Sequence, residues 1–143
     1  MLLGFKRRFE PYITNGSKTH TIRAARKGMP KVGDRLDCYV DPRQKTMRLL
    51  GRWLCVKVEE IIIDSDGIYL GKLSDRHPLD KDEIEALAFR DGFRDYRFNS
   101  HFEEMMKFWK GRLPFHGYII HWDFSKPQEG PRKKGHSAEQ TAR

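Results

Sequence analysis

The 143-residue chain has room for a single domain of common size, and a second independent domain does not fit. Its 38% hydrophobic and 34% charged residues predict a soluble globular protein, and no stretch reaches the roughly 18 apolar residues that a membrane span needs. The net charge of +8 favours a polyanionic partner, RNA above all, because phosphate contacts release counterions.

The opening of the chain, MLLGFKRR, has too short an apolar run for a secretory signal peptide, so we expect a cytoplasmic protein. The two cysteines agree with that expectation. Cys38 and Cys55 lie in strand-like runs without a Cys or His nearby at metal-ligand spacing, which favours reduced core thiols over a disulfide or a zinc site.

The first half of the chain reads as strands joined by polar turns. Residues 2–9 (LLGFKRRF) predict a strand, and Pro11 followed by Gly16 predicts a short helix after it. The run THTIRA at 19–24 predicts the next strand. After a loop rich in Gly, Pro and Lys, residues 35–41 (RLDCYVD) alternate apolar and polar side chains, as a half-buried strand does.

A long strand-like run follows at residues 47–64 (MRLLGRWLCVKVEEIIID). It exceeds an ordinary strand, and Gly51 inside it predicts a bulge or a bend. The pair Asp66-Gly67 then predicts a hairpin turn into the next strand.

Two helices and a closing strand complete the pattern. The first helix is expected over about residues 80–90, and the second opens with SHFE, in which Ser100 and Glu103 match a capping box, and stops at Gly111. The last strand is expected over residues 115–124. Four apolar side chains of the second helix recur at helical spacing and are read as core: Phe102, Met105, Met106 and Trp109.

This order of elements predicts an α+β fold, a small and mostly antiparallel β-barrel with helices packed outside it. The domain is expected to span residues 1–124. Residues 125–143 lack a large apolar anchor and are rich in Pro and Gly, which predicts a disordered basic tail. We predict no metal site and no cofactor: His116 and His121 are five apart, and an odd separation puts them on opposite faces of a strand.

The segment NGSKTHTIR, residues 15–23, is the best candidate for a functional motif. Strand alternation places Thr19, Thr21 and Arg23 on one face, which is wholly polar. Such a face is expensive to bury, so it should border water, a ligand or a cleft. Alternation alone is equally compatible with an exposed strand face on a basic protein.

GSKTHTIR resembles the G-x-K-T-x-T-x-R segment of ASCH-domain proteins, and VGDRL, RDGF and the final FHGYIIHW follow in the order of that family. The resemblance covers most of residues 4–124 and implies a PUA-like β-barrel with a cleft that meets RNA or a nucleobase. Some bacterial ASCH proteins deacetylate N4-acetylcytidine with a lysine, a threonine and a glutamate. On matching positions the first two are Lys18 and Thr21, and Asp91 of RDGF stands where the family has glutamate.

These three side chains suit amide hydrolysis, which needs a nucleophile and a group that takes its proton. Lys18 must be neutral part of the time to act as a base, which burial or a neighbouring cation such as Arg23 promotes. Lys18 and Thr21 are three apart and would point to opposite faces of a regular strand. The site therefore requires Lys18 in the turn before the strand, which Gly16 makes plausible.

Three functions stay open at this point. The first is hydrolysis of a modified nucleoside, with catalytic residues Lys18, Thr21 and Asp91. The second is a ribonuclease that cleaves single-stranded RNA, with Lys18 or Arg23 stabilising the phosphorane and His20, Tyr12 or Asp91 moving protons. The third is a noncatalytic RNA-binding module. The predicted RNA contacts, some of which would also move protons in a ribonuclease, are Arg23, Arg26, Lys27, Lys31, Tyr12 and His20. The oligomeric state is left open.

Overall fold

A computed structural model describes residues 1–72 and 74–129, and the end of the predicted tail lies outside the described residues. Strands predominate in this part of the chain and three α-helices accompany them, which confirms the α+β class. None of these helices is long and apolar enough to cross a membrane. The elements in chain order are β1 (Leu2–Phe5), a 3-10 helix (Arg7–Phe9), α1 (Glu10–Thr14), β2 (His20–Ala24), β3 (Arg35–Val40), β4 (Arg48–Asp64), β5 (Gly67–Leu70), β6 (His77–Pro78), α2 (Lys81–Arg90), α3 (His101–Trp109) and β7 (Phe115–Pro127).

The two longest strands, β4 and β7, pair antiparallel at the centre of one mixed sheet. β3 and β5 pair antiparallel with β4, and β2 pairs antiparallel with the other side of β7. β1 runs parallel to β3, and β6 adds a short antiparallel strand beside β5. Residues 125–127 belong to β7, so the closing strand runs past the expected end at Phe124 because Trp53 of β4 still faces Pro127.

The sheet is not closed into a barrel, which differs from the expected architecture. Among the described strands, β1 pairs only with β3 and β2 only with β7. A cavity lined by both β1 and β2 separates them, so their backbones do not reach pairing distance. The side chain of Arg23 crosses this gap instead and donates to the Gly4 carbonyl at 2.7 Å. We call the gap between β1 and β2 the seam.

The N-terminal strand is shorter than expected because the chain turns inward after Phe5. A 3-10 turn follows, in which the Phe9 amide donates to the Lys6 carbonyl. This turn buries the Phe9 ring edge-on against Phe93 and Phe108, with ring centroids 5.7 and 6.0 Å away. The predicted strand therefore ends at Phe5, and Phe9 belongs to an aromatic cluster instead.

Local signals set the bulge and the helix ends. β3 and β4 lose register where Cys38 faces Gly51 and Tyr39 faces Leu49, so the predicted bulge lies at Gly51. Ser100 accepts from the Glu103 amide and caps α3, but the Glu103 carboxylate accepts from a neighbouring amide, so only half of the predicted capping box forms.

A full capping box forms on α2 instead, between Asp80 and Glu83. The carboxylate of Glu85 on α2 accepts from the first two amides of α3, those of His101 and Phe102. These bonds satisfy amides at the α3 N-terminus that have no partner within the helix, and they fix the two helices to each other.

The core lies between the sheet and the helices. On α3, Met105 and Trp109 are buried and Phe102 and Met106 are partly buried, which confirms the predicted core face. The cysteines are free and buried, as expected. The largest fully buried side chains are Phe93, Leu3, Ile13, Leu36, Ile61, Ile63, Ile68, Met105, Ile119, Ile120, Val40 and Cys38.

The turn between α1 and β2 positions the candidate motif. Gly16 adopts a φ of 82°, and a Cβ atom there would also lie 2.6 Å from the Phe124 ring. Glycine is therefore required on both conformational and steric grounds. The Lys18 amide donates to the Tyr12 carbonyl at 2.8 Å. Lys18 thus lies in the turn before β2, as the proposed chemistry requires.

Candidate functional site

A buried ion pair joins the turn before β2 to the end of α2. The Lys18 Nζ atom donates to Asp91 Oδ1 at 2.6 Å and to the Asp91 carbonyl at 2.7 Å. The two side chains are only 3% and 8% exposed. The ammonium group also lies over the ring of Phe9, 5.1 Å from its centroid. The protein therefore holds a charged pair, separated by 73 positions in sequence, out of contact with bulk water.

Burial and pairing shift the protonation equilibria of this pair. Desolvation lowers the pKa of Lys18, and the neighbouring Asp91 carboxylate only partly offsets this effect. Burial alone would raise the pKa of Asp91, but the Lys18 ammonium and the His20 ring outweigh it and hold that pKa below its ordinary value. Asp91 is therefore an anion at neutral pH, and Lys18 loses its proton more readily than an exposed lysine.

Thr21 and Arg23 lie on the same face of β2, as alternation predicts. Arg23 Nε donates to Thr21 Oγ1 at 2.9 Å, and the guanidinium lies over the Phe5 ring, 4.9 Å from its centroid. The Thr21 side chain is buried, with 5% of the residue exposed. Because the hydroxyl oxygen accepts from a cation, its own proton stays free to be donated and negative charge on the oxygen is favoured.

Lys18, Thr21, Arg23 and Asp91 all line one cavity of about 210 Å³ at the seam. We call it the seam cavity. Its remaining walls are aromatic, aliphatic or basic: Gly4, Phe5, Lys6, Phe9, Ile22, Phe93, Phe108, Trp109 and Arg112. The buried Nε1–H of Trp109 has no partner among the described residues, so the apolar wall also holds an unused hydrogen-bond donor.

His20 does not reach this cavity. Its side chain is buried on the other face of β2, with Nε2 3.1 Å from Asp91 Oδ1 but outside hydrogen-bond alignment. Its ring packs against His121 with centroids 5.6 Å apart, and His121 Nε2 lies 2.7 Å from Glu59 Oε2. Desolvation lowers the pKa of His20, so its ring is neutral at neutral pH. A direct contact between His20 and RNA has no geometric support here.

The other predicted RNA contacts are scattered. Tyr12 lines a second cavity, described below, and Arg23 lines the seam cavity. Arg26, Lys27 and Lys31 are exposed on the loop between β2 and β3 and line neither cavity. The structure therefore brings the three catalytic candidates together and leaves the basic loop apart from them.

A second and larger cavity of about 510 Å³ opens beside the first. We call it the outer cavity. Sequence analysis missed it, although the basic residues spaced through GFRDYRF after α2 were a usable signal. Its walls are formed by Arg8, Tyr12, Gly92, Arg94, Asp95, Arg97, Phe98, Glu104, Lys107 and Phe108.

Within residues 1–72 and 74–129, no group of three or more His, Cys, Asp or Glu side chains is arranged to hold a metal ion. Six hydrophilic side chains line the seam cavity: the Thr21 hydroxyl, the Asp91 carboxylate and four cations, which are Lys6, Lys18, Arg23 and Arg112. The paired Lys18 and Asp91 beside the Thr21 hydroxyl suit proton transfer to a bound polar group.

No protein-family model, curated protein or solved structure matches the chain. The chemistry of the two cavities is therefore what bears on function.

Proposed function

We propose that the protein is an RNA-directed, ASCH-like hydrolase of the PUA-like class that works without a metal. Its seam cavity would bind a modified nucleoside, free or in single-stranded RNA, and hydrolyse an amide on the base. N4-acetylcytidine is the substrate that the motif resemblance implies. The observation that carries the proposal is that Lys18, Thr21 and Asp91 line one cavity.

The size and lining of the cavity favour a single base as the bound group. Its volume of about 210 Å³ is below the roughly 300–1,000 Å³ of pockets for drug-sized ligands. Aromatic rings from Phe5, Phe93 and Trp109 supply apolar faces on which a flat base can stack. A long stretch of RNA does not fit such a space, but one base turned into it does.

In the first half of the proposed reaction, the Thr21 oxygen attacks the amide carbonyl carbon. The neutral Lys18 amine takes the hydroxyl proton as the new C–O bond forms. Arg23, which already donates to Thr21 Oγ1, stabilises negative charge developing at the reacting oxygens. The Lys18 ammonium then returns the proton to the departing exocyclic nitrogen as the C–N bond breaks, leaving an acyl ester on Thr21.

In the second half, a water molecule attacks the ester carbonyl and Lys18 again takes and returns one proton. The carboxylic acid leaves and the Thr21 hydroxyl is restored. Asp91 orients Lys18 throughout through the two bonds at 2.6 and 2.7 Å. The shorter side chain of aspartate suits this role because the Asp91 carbonyl shares in holding the same ammonium.

The test is chromatography of N4-acetylcytidine after incubation with the protein in EDTA. We expect release of cytidine and acetate. Thr21→Val removes the hydroxyl at nearly constant volume and should abolish the activity, whereas the matched variant Thr19→Val, which does not line the cavity, should retain it. No deacetylation at high enzyme concentration, or full activity of Thr21→Val, would refute the proposal.

A noncatalytic RNA-binding module is the second candidate, because Arg26, Lys27 and Lys31 are exposed together on one loop. In that case the protein would bind single-stranded RNA with salt-dependent affinity and leave it intact. Ribonuclease activity has less geometric support, since Tyr12 lines the outer cavity, Asp91 the seam cavity and His20 neither. Labelled single-stranded RNA that is cut in EDTA would favour the ribonuclease over both.

A further inference from the structure

The outer cavity adjoins the seam cavity directly. Phe108 belongs to the walls of both, and Gly92 of the outer cavity lies between Asp91 and Phe93 of the seam cavity. The two cavities are therefore neighbours that share the Phe108 side chain as a wall. The second cavity is larger, at about 510 Å³ against 210 Å³, so it has space for more than a water molecule or two.

The outer cavity carries an excess of positive charge. Four cations and two carboxylates line it. Arg8 pairs with Glu104 and Arg97 pairs with Asp95, so two cations, Arg94 and Lys107, have no carboxylate partner among residues 1–72 and 74–129.

This count of charges in the outer cavity treats Asp95 as ionised at neutral pH. Hydrogen bonds from Arg97 lower the pKa of Asp95 to about 2, so this carboxylate is already an anion in the count. The remaining excess of two positive charges faces the cavity without a protein counterion. A ligand carrying negative charge is the complement of such a lining.

Arg94 is held rigidly at the mouth of the cavity. Its Nε donates to the Phe89 carbonyl at 2.9 Å, and its two terminal nitrogens donate to Ser17 at 3.0 and 3.2 Å. The guanidinium is stacked between the rings of Tyr12 and Phe89, each 4.3 Å away. Because arginine has five N–H donors and three are used here, two stay free for a ligand. A fixed guanidinium with spare donors is well suited to phosphate.

The other unpaired cation approaches from α3. Lys107 is exposed and lies over the ring of Phe98, 5.4 Å from its centroid. A flexible ammonium group and a rigid guanidinium therefore line the same cavity, and both complement the charge of a phosphate. Such charge-assisted bonds are about twice as strong as those between neutral groups.

We propose that the outer cavity binds a phosphate group of the substrate whose base occupies the seam cavity. The true substrate is then a nucleotide, either a mononucleotide or a unit of an RNA chain, and the free nucleoside is a truncated form of it. The inference rests on the proposed function of the seam cavity for the identity of the base, but the phosphate site stands on its own charge and geometry.

Four substrates test the inference: N4-acetylcytidine, its 5′-monophosphate, its 3′-monophosphate, and a three-nucleotide RNA with the modified base in the centre. We expect at least one phosphorylated form to show kcat/KM about tenfold higher than the nucleoside, the gain of one charge-assisted bond. A gain confined to the RNA identifies a polymer substrate, and an equal gain with one monophosphate identifies a nucleotide. Equal kcat/KM for all four would overturn the inference.

Variants locate the effect in the outer cavity. In Arg94→Gln/Lys107→Gln, the ratio of kcat/KM for the phosphorylated substrate to that for the nucleoside should fall by about tenfold. Lys110→Gln also removes a lysine charge, but from a nearby residue that lines neither cavity. It should keep the kcat/KM ratio of the wild type. A ratio unchanged in the double variant, or reduced equally in Lys110→Gln, would refute the assignment.

A binding measurement separates this inference from the hydrolase proposal. Calorimetry with cytidine and with its monophosphates, which contain no amide to cleave, should show tighter binding of a monophosphate that weakens as salt increases. If that difference is found while N4-acetylcytidine stays intact, the phosphate site stands and the hydrolase fails. If the nucleoside is hydrolysed but phosphate adds no affinity or rate, the hydrolase stands and the phosphate site fails.

Discussion

The seam cavity and the outer cavity meet at Phe108 but differ in how deeply their charged groups are buried. In the seam cavity, Lys18 and Asp91 are almost fully buried and neutralise each other at 2.6 Å. In the outer cavity, Lys107 is exposed and Arg94 has no carboxylate partner among the described residues. The seam cavity therefore encloses a buried, compensated ion pair besides its further cations Lys6, Arg23 and Arg112, and the outer cavity presents two unpaired cations.

The contrast explains why the two cavities suit different tasks. Desolvation changes the proton affinity of a buried group, so Lys18 can exchange a proton near neutral pH more readily than an exposed lysine. An exposed cation keeps its ordinary charge and attracts an anion over a longer range, but each contact is weakened by salt. Chemistry is therefore expected in the seam cavity and substrate capture in the outer one.

The largest difference between the cavities should appear when a lysine is replaced by methionine. Lys18→Met leaves the Asp91 carboxylate buried without its counterion, so the free energy of unfolding should fall by about 3–5 kcal/mol. The matched variant Lys107→Met, at an exposed site, should change it by less than about 0.5 kcal/mol. Urea denaturation of both variants measures the two effects.

The double variant Lys18→Met/Asp91→Leu removes both charges from the seam cavity. It should recover much of the stability lost in Lys18→Met, because no unpaired charge stays buried. A double variant less stable than Lys18→Met would show that the ion pair itself, and not the unpaired carboxylate, accounts for the loss.

The next effect concerns the arginine that crosses the seam. Arg23→Met removes the donors to Thr21 Oγ1 and to the Gly4 carbonyl, and should lower the free energy of unfolding by about 1.5–3 kcal/mol. Arg26→Met, on the exposed loop after β2, is the control and should be nearly neutral. Equal stabilities of these two variants in thermal unfolding would mean that the seam is held by other contacts.

A smaller effect is expected from His20 and depends on pH. Desolvation lowers the pKa of His20 in the folded protein below its ordinary value of 6.5. The Asp91 carboxylate opposes this shift, and Lys18 and His121 add to it. The unfolded chain then binds the proton more readily, so stability falls as pH decreases below about 6.5. The slope reaches at most about 1.4 kcal/mol per pH unit for one proton.

The variant His20→Gln isolates that contribution. It lacks the titrating ring, so its free energy of unfolding should vary less between pH 7 and pH 5 than that of the wild type. Chemical denaturation at several pH values measures the difference. Parallel pH profiles for the two proteins would assign the acid sensitivity to other groups.

Local sequence signals predicted the features that depend on near neighbours. Ser100 caps α3, Gly51 lies at a bulge, and Gly16 allows the turn that puts Lys18 ahead of β2. Each of these outcomes depends on a backbone conformation or a hydrogen bond within a few residues, or between neighbouring strands in register. That is why composition and spacing were sufficient for them.

Local signals of this kind could not predict contacts between residues far apart in sequence. The inward turn of Phe9, the parallel pairing of β1 with β3 and the open seam depend on packing between residues far apart in sequence. The outer cavity was missed for the same reason, because Arg8 and Lys107 line it from segments far apart in the chain.

The sequence by itself determined the α+β class and the core face of α3, whereas the three catalytic candidates follow from a family resemblance and stay a prediction. Only the tertiary structure decided that Lys18 and Asp91 form a buried pair, that the sheet stays open beside them, and that a cationic cavity adjoins it. The physical reason is that propensity and alternation act over a few residues, whereas burial, ion pairing and cavities arise where distant segments meet.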